Sequence, residues 1–255
     1  MQFEILTLLF VVAVAAGTVD AIAGGGGLIT LPALLLTGIS PAQALATNKI
    51  VALASVASSA HRYMRSGEVD VAGMWPRVIA SVVGATVGAC VLRITDPTTL
   101  ARIAPFILIC VASFFLFSRN FLTEKRRPLL DNTGFALLAA LPIGFYDGFF
   151  GPGTGSMYAA AFVLLFGRDL RSATADTKVL NAAGSTIAAM IFLPGGLIAW
   201  PAAAAMALGG ILGGQIGAGL ALRWGAPLIR VALVLISVAL AIRLLVQQYG
   251  LPVWQ

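Results

Sequence analysis

The chain is 255 residues long, 59% hydrophobic and 10% charged, with a net charge of +6 and a mean hydropathy of +0.97. A soluble domain carries about a quarter of its residues as charges, so this composition excludes one and points to an all-α polytopic membrane protein. The basic surplus falls mainly at the ends of apolar runs, where arginine sets topology, and builds no patch for nucleic acid.

Residues 4–22 are predicted as a helix. The start Met1-Gln2-Phe3-Glu4 has no basic region ahead of the apolar run, so the run reads as a mature segment and not as a cleaved leader. It is broken at Asp20-Ala21-Ile22-Ala23-Gly24-Gly25-Gly26-Gly27. Four glycines in a row make a poor helix, and a membrane segment that keeps them is using bare backbone. Residues 28–37 are too short to cross a bilayer, which takes ~20 helical residues, so the two runs are predicted to form a re-entrant hairpin. Ser40 and Pro41 then start a helix that runs to about Arg62. Spans at 71–92 and 99–118 follow, divided at Thr95-Asp96-Pro97, and a polar stretch from Arg119 to Asn132 closes the first half.

The order then repeats. Residues 134–148 lead to a second break, Asp147-Gly148-Phe149-Phe150-Gly151-Pro152-Gly153-Thr154-Gly155, about 127 positions after the first. A short run at 154–166, a helix at 171–193 and spans at 201–222 and 227–246 come next. With a two-residue insertion, Ala44-Leu45-Ala46-Thr47-Asn48-Lys49 aligns with Ala173-Thr174-Ala175-Asp176-Thr177-Lys178, and Gly84 and Gly88 align with Gly213 and Gly217. The expected organisation is repeat 1 over 1–118, a basic linker over 119–132 and repeat 2 over 133–255.

Charge placement orients the copies. The 37–41 loop is uncharged while Gly167-Arg168-Asp169-Leu170-Arg171 is basic; the 62–70 loop carries Arg62 and Arg65 while 194–200 carries no charge. With the basic loops, Lys125-Arg126-Arg127 and the Arg223 to Arg230 loop on the cytoplasmic side, the two repeats are inverted. Each is then a hairpin plus three spans, eight to ten segments in all, with both termini extracytoplasmic and Arg93 and Arg102 as exceptions outside.

Gly84-x-x-x-Gly88 and the ladder of Gly209, Gly213 and Gly217 with Gly210 and Gly214 predict close helix packing, with Gln215 as a polar exception on the ladder. Trp75, Trp200 and Trp224 read as an interfacial belt, His61 as an interfacial residue, and Cys90 and Cys110 as small core residues.

Inverted repeats with broken helices place a substrate near the bilayer midplane, between half-helix ends. Here the short runs start right after the glycines, so their N-termini present free N–H groups and positive dipole ends, which suit an anion. Lys49 and Lys178 stand at matching positions, deep in the membrane, where an ammonium costs several kcal/mol unless paired or hydrated. Asn48, Ser55 and Ser59 share one helix face with the first; Thr177, Asn181 and Ser185 share one with the second. The predicted substrate-binding set is therefore Gly24, Gly25, Gly26, Gly27, Asn48, Lys49, Gly151, Gly153, Thr154, Gly155, Thr177, Lys178, Asn181 and Gln215. The first break is expected to act through backbone N–H alone, and the second to add the hydroxyls of Thr154 and Ser156. Asp20 and Asp147 are candidates for gating or proton coupling. The alternative is a pair of structural ion pairs, Lys49 with Asp20 and Lys178 with Asp147 or Asp176.

Gly17-x-x-Asp20 with its glycine run, the string Gly144-Phe145-Tyr146-Asp147-Gly148-Phe149-Phe150-Gly151-Pro152-Gly153-Thr154-Gly155, and the Ala46-Thr47-Asn48-Lys49 and Ala175-Asp176-Thr177-Lys178 segments resemble the sulfite exporter TauE/SafE family of bacterial membrane proteins. The resemblance covers essentially the whole chain. It implies a multi-pass protein of the cytoplasmic (inner) membrane that exports sulfite or organosulfonates, with the lipid bilayer and a small anion as partners. The all-glycine first break is richer in glycine than the second and lacks its proline and hydroxyl. A gated anion channel, or a carrier of another anion, is the alternative. No cofactor, metal or enzymatic role is expected, since the sequence has no His, Cys or Met cluster and no nucleophile with a base.

Overall fold

A computed structural model describes residues 3–71, 73–96, 99, 127–225 and 228. The predicted spans 99–118 and 227–246, Arg102, Cys110 and most of the linker lie outside the described residues, as do the first and last positions of the chain.

Among the described residues every regular element is helical. The first half holds α1 (Phe3–Ala23), α2 (Gly27–Leu35), α3 (Pro41–Arg65) and α4 (Trp75–Ile94). In the second half α5 (Asn132–Phe135) runs through a π-helical turn (Ala136–Ala140) into α6 (Leu141–Phe149), followed by α7 (Thr154–Leu164), α8 (Leu170–Phe192) and α9 (Trp200–Trp224). The order of elements thus recurs: a helix, a break, a short helix, then two long ones.

The helix starts follow local chemistry. Ser40 and Gln43 form a capping box ahead of Pro41, each side chain accepting the other's backbone N–H at 3.3 Å. Asp169 caps α8 by accepting from the N–H groups of Arg171 and Ser172, both at 3.1 Å. The π turn precedes Pro142, which has no N–H to give to the carbonyl four residues back.

Among the described residues three helices are long and apolar enough to cross a membrane: α1, α4 and α9. α3 and α8 match them in length, at 25 and 23 residues, but spend their buried positions on polar groups, among them Asn48, Lys49, Ser55, Asp176, Lys178 and Asn181. Those two helices meet each other at the centre, and the apolar ones surround them.

The halves exchange partners. α1 packs along α9 and α6 along α4, so each broken helix lies on the glycine-rich helix of the other half. Glycine makes this possible: a Cβ at Gly213 would stand 2.8 Å from Thr18 N, and one at Gly88 would stand 2.8 Å from Phe149 N. Gly209, Gly213 and Gly217 face α1, while Gly210 and Gly214 face α3 around Ser55. The ladder therefore seats one helix on each side, as the small-residue rule anticipates. Trp75, Trp200 and Trp224 are exposed at helix ends, and His61 is exposed near the end of α3. Cys90 departs from its expected core position: it is exposed on α4, because the face of that helix bearing Gly84 and Gly88 is the one turned inward.

Candidate functional site

The site is built by the two breaks. At the first, the N–H of Gly24 still bonds Asp20 O at 2.7 Å, and Gly24 then turns with φ +79°, in the left-handed region that glycine alone adopts freely. The Asp20 carboxylate closes the turn by accepting the N–H of Gly26 at 3.0 Å, which caps the incoming α2. The second break uses two left-handed glycines, Gly151 at φ +94° and Gly153 at φ +88°. Tyr146 Oη donates to Pro152 O and Thr154 Oγ1 to Gly151 O, both at 2.6 Å.

The breaks touch each other backbone to backbone. A Cβ on Gly155 would lie 2.6 Å from Gly24 Cα, and Ser156 Oγ donates to Ala23 O. The hydroxyls of Thr154 and Ser156, expected to face a substrate, both donate to main-chain carbonyls: Thr154 closes its own turn at Gly151 O, and Ser156 joins the two breaks at Ala23 O.

Each lysine reaches the break of the opposite half. Lys49 Nζ donates to Asp147 O and stands 3.5 Å from Asp147 Oδ1; Lys178 Nζ donates to Asp20 O and stands 3.2 Å from Asp20 Oδ2. Lys49 and Lys178 are 1% and 0% exposed, and the two aspartates are buried with them. The expected pairings within a half, Lys49 with Asp20 and Lys178 with Asp147 or Asp176, are therefore corrected. The exchange of partners between halves brings each break beside the other half's lysine, and Asp176 lies with arginines instead. Two buried cations against two buried carboxylates leave the centre neutral, which is the condition for holding charges out of water at all.

A cavity of about 20 Å³ lies against three of these groups, Asp20, Lys49 and Asp147, and is lined as well by Asn48 and Asn181. Gly24, Gly27, Gly151, Gly153 and Gly155 complete its walls. A second cavity of about 20 Å³ adjoins it, sharing Asp20, Gly27 and Ala52 and adding Gly26, Thr30 and Ser55. Each has room for about one water.

Other predicted residues sit elsewhere. Gly25, Thr154, Thr177, Lys178 and Gln215 line neither cavity, Lys178 standing behind Asp20, and the buried Thr177 hydroxyl has no hydrogen-bond partner. Gln215 is drawn away from the centre: its Nε2 donates to Ser58 O at 2.7 Å and to Ser58 Oγ at 2.9 Å, while Arg62 Nη1 donates to Gln215 O at 2.9 Å. It clamps α9 to α3. Sequence reasoning missed Thr30, which donates to Asn48 Oδ1 at 2.5 Å and orients that side chain.

It also missed a charged cluster where the 66–74 loop meets the 165–169 loop. Arg77, 1% exposed, stacks its guanidinium 4.7 Å from the Phe166 ring centroid. It stands 3.9 Å from Asp176 and 3.8 Å from Asp70. Arg168 Nε donates to Asp176 Oδ2 at 2.8 Å, a bond that raises its pKa above the ordinary arginine value. Arg171 pairs with Glu68 at 3.0 Å. In the sequence Arg77 follows Trp75-Pro76 and looks like one more interfacial arginine; only the acid at position 176 of the next half hinted at a partner.

The model of the family described as sulfite exporter TauE/SafE matches residues 9–244. The chain belongs to this family. Among its relatives, "Probable membrane transporter protein ORF9" of a Sinorhizobium species is 41% identical over all of this chain and 98% of its own. "Probable membrane transporter protein YfcA" of Escherichia coli K12 is 39% identical over 96% of this chain and 91% of its own. A "Probable membrane transporter protein" of Haemophilus influenzae is 38% identical over 96% of both. No solved structure matches the chain. As a TauE/SafE member the chain is a bacterial membrane transporter, and its crossed lysines and aspartates are to be read in that light.

Proposed function

We propose that this transporter exports small sulfur-containing anions, sulfite or organosulfonates, by alternating access at the crossed centre, with the two repeats inverted in the membrane. The observation that carries the reading is the crossed pairing itself: Lys49 and Lys178, each fully buried, sit at opposed helix breaks beside Asp147 and Asp20. An arriving oxyanion takes over a lysine from its aspartate, exchanging one carboxylate-like partner for another. The half-helix N–H groups at the breaks add donors for its oxygens. Because one anion replaces another, the exchange is close to balanced and reversible, as transport requires. The released aspartate is then free to swing or to take a proton, which makes Asp20 and Asp147 the gating pair.

Outward transport needs no other driving ion. A potential of 100 mV, negative inside, favours the exit of one negative charge by about 2.3 kcal/mol. The basic loops at 62–70 and 167–171 and the linker face the cytoplasm in this reading, and the termini face outward. A centre with room for one water favours a carrier that opens one side at a time over a channel.

The test is flux in proteoliposomes holding the purified chain, comparing sulfite, a sulfonate, thiosulfate and sulfate. Saturable flux of sulfite or the sulfonate, lost in Lys49→Ala and Lys178→Ala, is expected. Flux of an anion that persists in both variants refutes the central site, and unsaturable flux at channel rates refutes the carrier.

A further inference from the structure

The central site is flanked by two junctions, built from equivalent elements of the two halves but joined by opposite chemistry. At one, the backbone N–H of Asp70 donates to Asp176 Oδ1 at 3.4 Å. At the other, the backbone N–H of Ala199 donates to Thr47 Oγ1 at 3.0 Å. These are the same contact in the two halves, since Thr47 aligns with Asp176 as Lys49 does with Lys178, and the same register carries Asp70 onto Ala199. Extending that register, the charged residues Arg77, Arg168, Arg171 and Glu68 fall on Met206, Ile39, Ala42 and Leu197. These six charges of one junction are all neutral at the other. Met206, Ile198, Ala202, Ala203 and Leu45 are buried together there with Ile39 packed against them, an ordinary apolar closure.

We propose that the Arg77, Arg168 and Asp176 cluster is a charge lock that makes this junction the adjustable gate of the transporter, while the apolar junction closes by burial alone. The physical contrast is as follows. Shutting the charged junction removes Asp176 (0% exposed) and Arg77 (1% exposed) from water, a cost repaid only while every partner is in place. Arg77 Nε and Nη1 make no hydrogen bond even in the closed form, so the repayment is incomplete and the lock is poised to open. Shutting the apolar junction has no such dependence on one partner. Removing one charge should therefore open the charged junction, and removing all of them should let it close again on apolar contacts, as its counterpart does.

The proposal rests on the alternating-access reading, but its test needs no substrate. Ala52, which lines both central cavities, is replaced by Cys in a chain carrying Cys90→Ser and Cys110→Ser, and labelled in oriented membranes with a membrane-impermeant thiol reagent added from either side. Asp176→Thr is expected to raise labelling from the side of the 66–74 loop by about tenfold or more and to lower it from the other. A variant with all six charges exchanged for their counterparts, E68L, D70A, R77M, R168I, R171A and D176T, is expected to return labelling to the starting level. Unchanged labelling in Asp176→Thr overturns the lock, as does a six-fold variant labelled as strongly as the single one. An Asp176→Thr protein that elutes as aggregate on size exclusion is misfolded; Arg77→Met then serves as the single lesion with the same expectation, and unchanged labelling there also overturns the lock. Increased labelling without any anion flux would leave the lock standing and remove the transport assignment.

Discussion

Replacing Lys178 by Met removes the cation that neutralises Asp20 while keeping a side chain of similar length and girth. In the wild type Lys178 Nζ is 3.2 Å from Asp20 Oδ2, and both groups are buried. The variant leaves a carboxylate with only the Gly26 N–H for company. Breaking a buried pair on one side costs about 3–5 kcal/mol. For a chain of this size that converts to roughly 6–20 °C in the midpoint of thermal unfolding, at about 2–4 °C per kcal/mol. The second half of the experiment is rescue. Asp20→Asn keeps an oxygen for the Gly26 N–H and removes the charge, so Lys178→Met with Asp20→Asn should regain most of the loss. The matching pair for Lys49→Met is Asp147→Asn, and Asp20→Asn should not rescue it. Thermal unfolding of detergent-purified protein, followed by the fraction that stays monodisperse on size exclusion, reads all five variants. Rescue of Lys49→Met by Asp20→Asn, or no rescue by either, would refute the crossed pairing.

Gly24→Ala places a Cβ against the backbone of Gly155 and Ser156 at a left-handed φ of +79°, so it should destabilise by about 2 kcal/mol or more; a variant as stable as the wild type would refute the backbone contact between the breaks. Gln215→Leu should lower stability by about 1 kcal/mol through loss of the bonds to Ser58 and leave the KM for anion flux unchanged, whereas a several-fold rise in KM would restore it to the binding set. Asp169 is pushed up by burial and pulled down further by hydrogen bonds from Ser172 and Arg171, so its folded-state pKa lies below the ordinary carboxylate value. Its cap then stabilises above pH ~4 and is lost as the pH falls through the folded-state value. Asp169→Ala should cost about 1 kcal/mol at neutral pH and progressively less toward pH 3; an equal gap at both would contradict the cap.

The elements were largely legible because their punctuation is chemical. Ser40-Pro41 and the Asp20 and Asp147 glycine breaks each announce a helix end through backbone constraints that operate within a few residues. The depth of Lys49 and Lys178 was equally plain, since position along a helix converts directly to depth. What could not be read was which aspartate each lysine meets. Asp20 and Lys49 are near in sequence, and only the seating of α1 on α9, and of α6 on α4, turns each break toward the other half. The partner of Gln215 was hidden for the same reason. A polar residue on a glycine ladder looks aimed at a substrate until α3 is found across the groove with the Ser58 carbonyl and hydroxyl within its reach. The hydroxyls of Thr154 and Ser156 look available in sequence, yet a break that leaves carbonyls unbonded consumes nearby donors first.

The crossing has a consequence for motion. Neither half contains a complete charge pair at the centre: each supplies a lysine to the other and receives an aspartate in return. Ser156 adds a bond from the second break to the last carbonyl of α1, and Gly155 seats on Gly24. A half that tilts alone would strip both lysines of their partners at once, leaving two cations and two carboxylates buried without partners. An anion that satisfies one lysine lifts half of that penalty. In the proposed mechanism a bound anion makes tilting feasible by taking a lysine over from its aspartate, and the empty carrier is held still by the two crossed pairs.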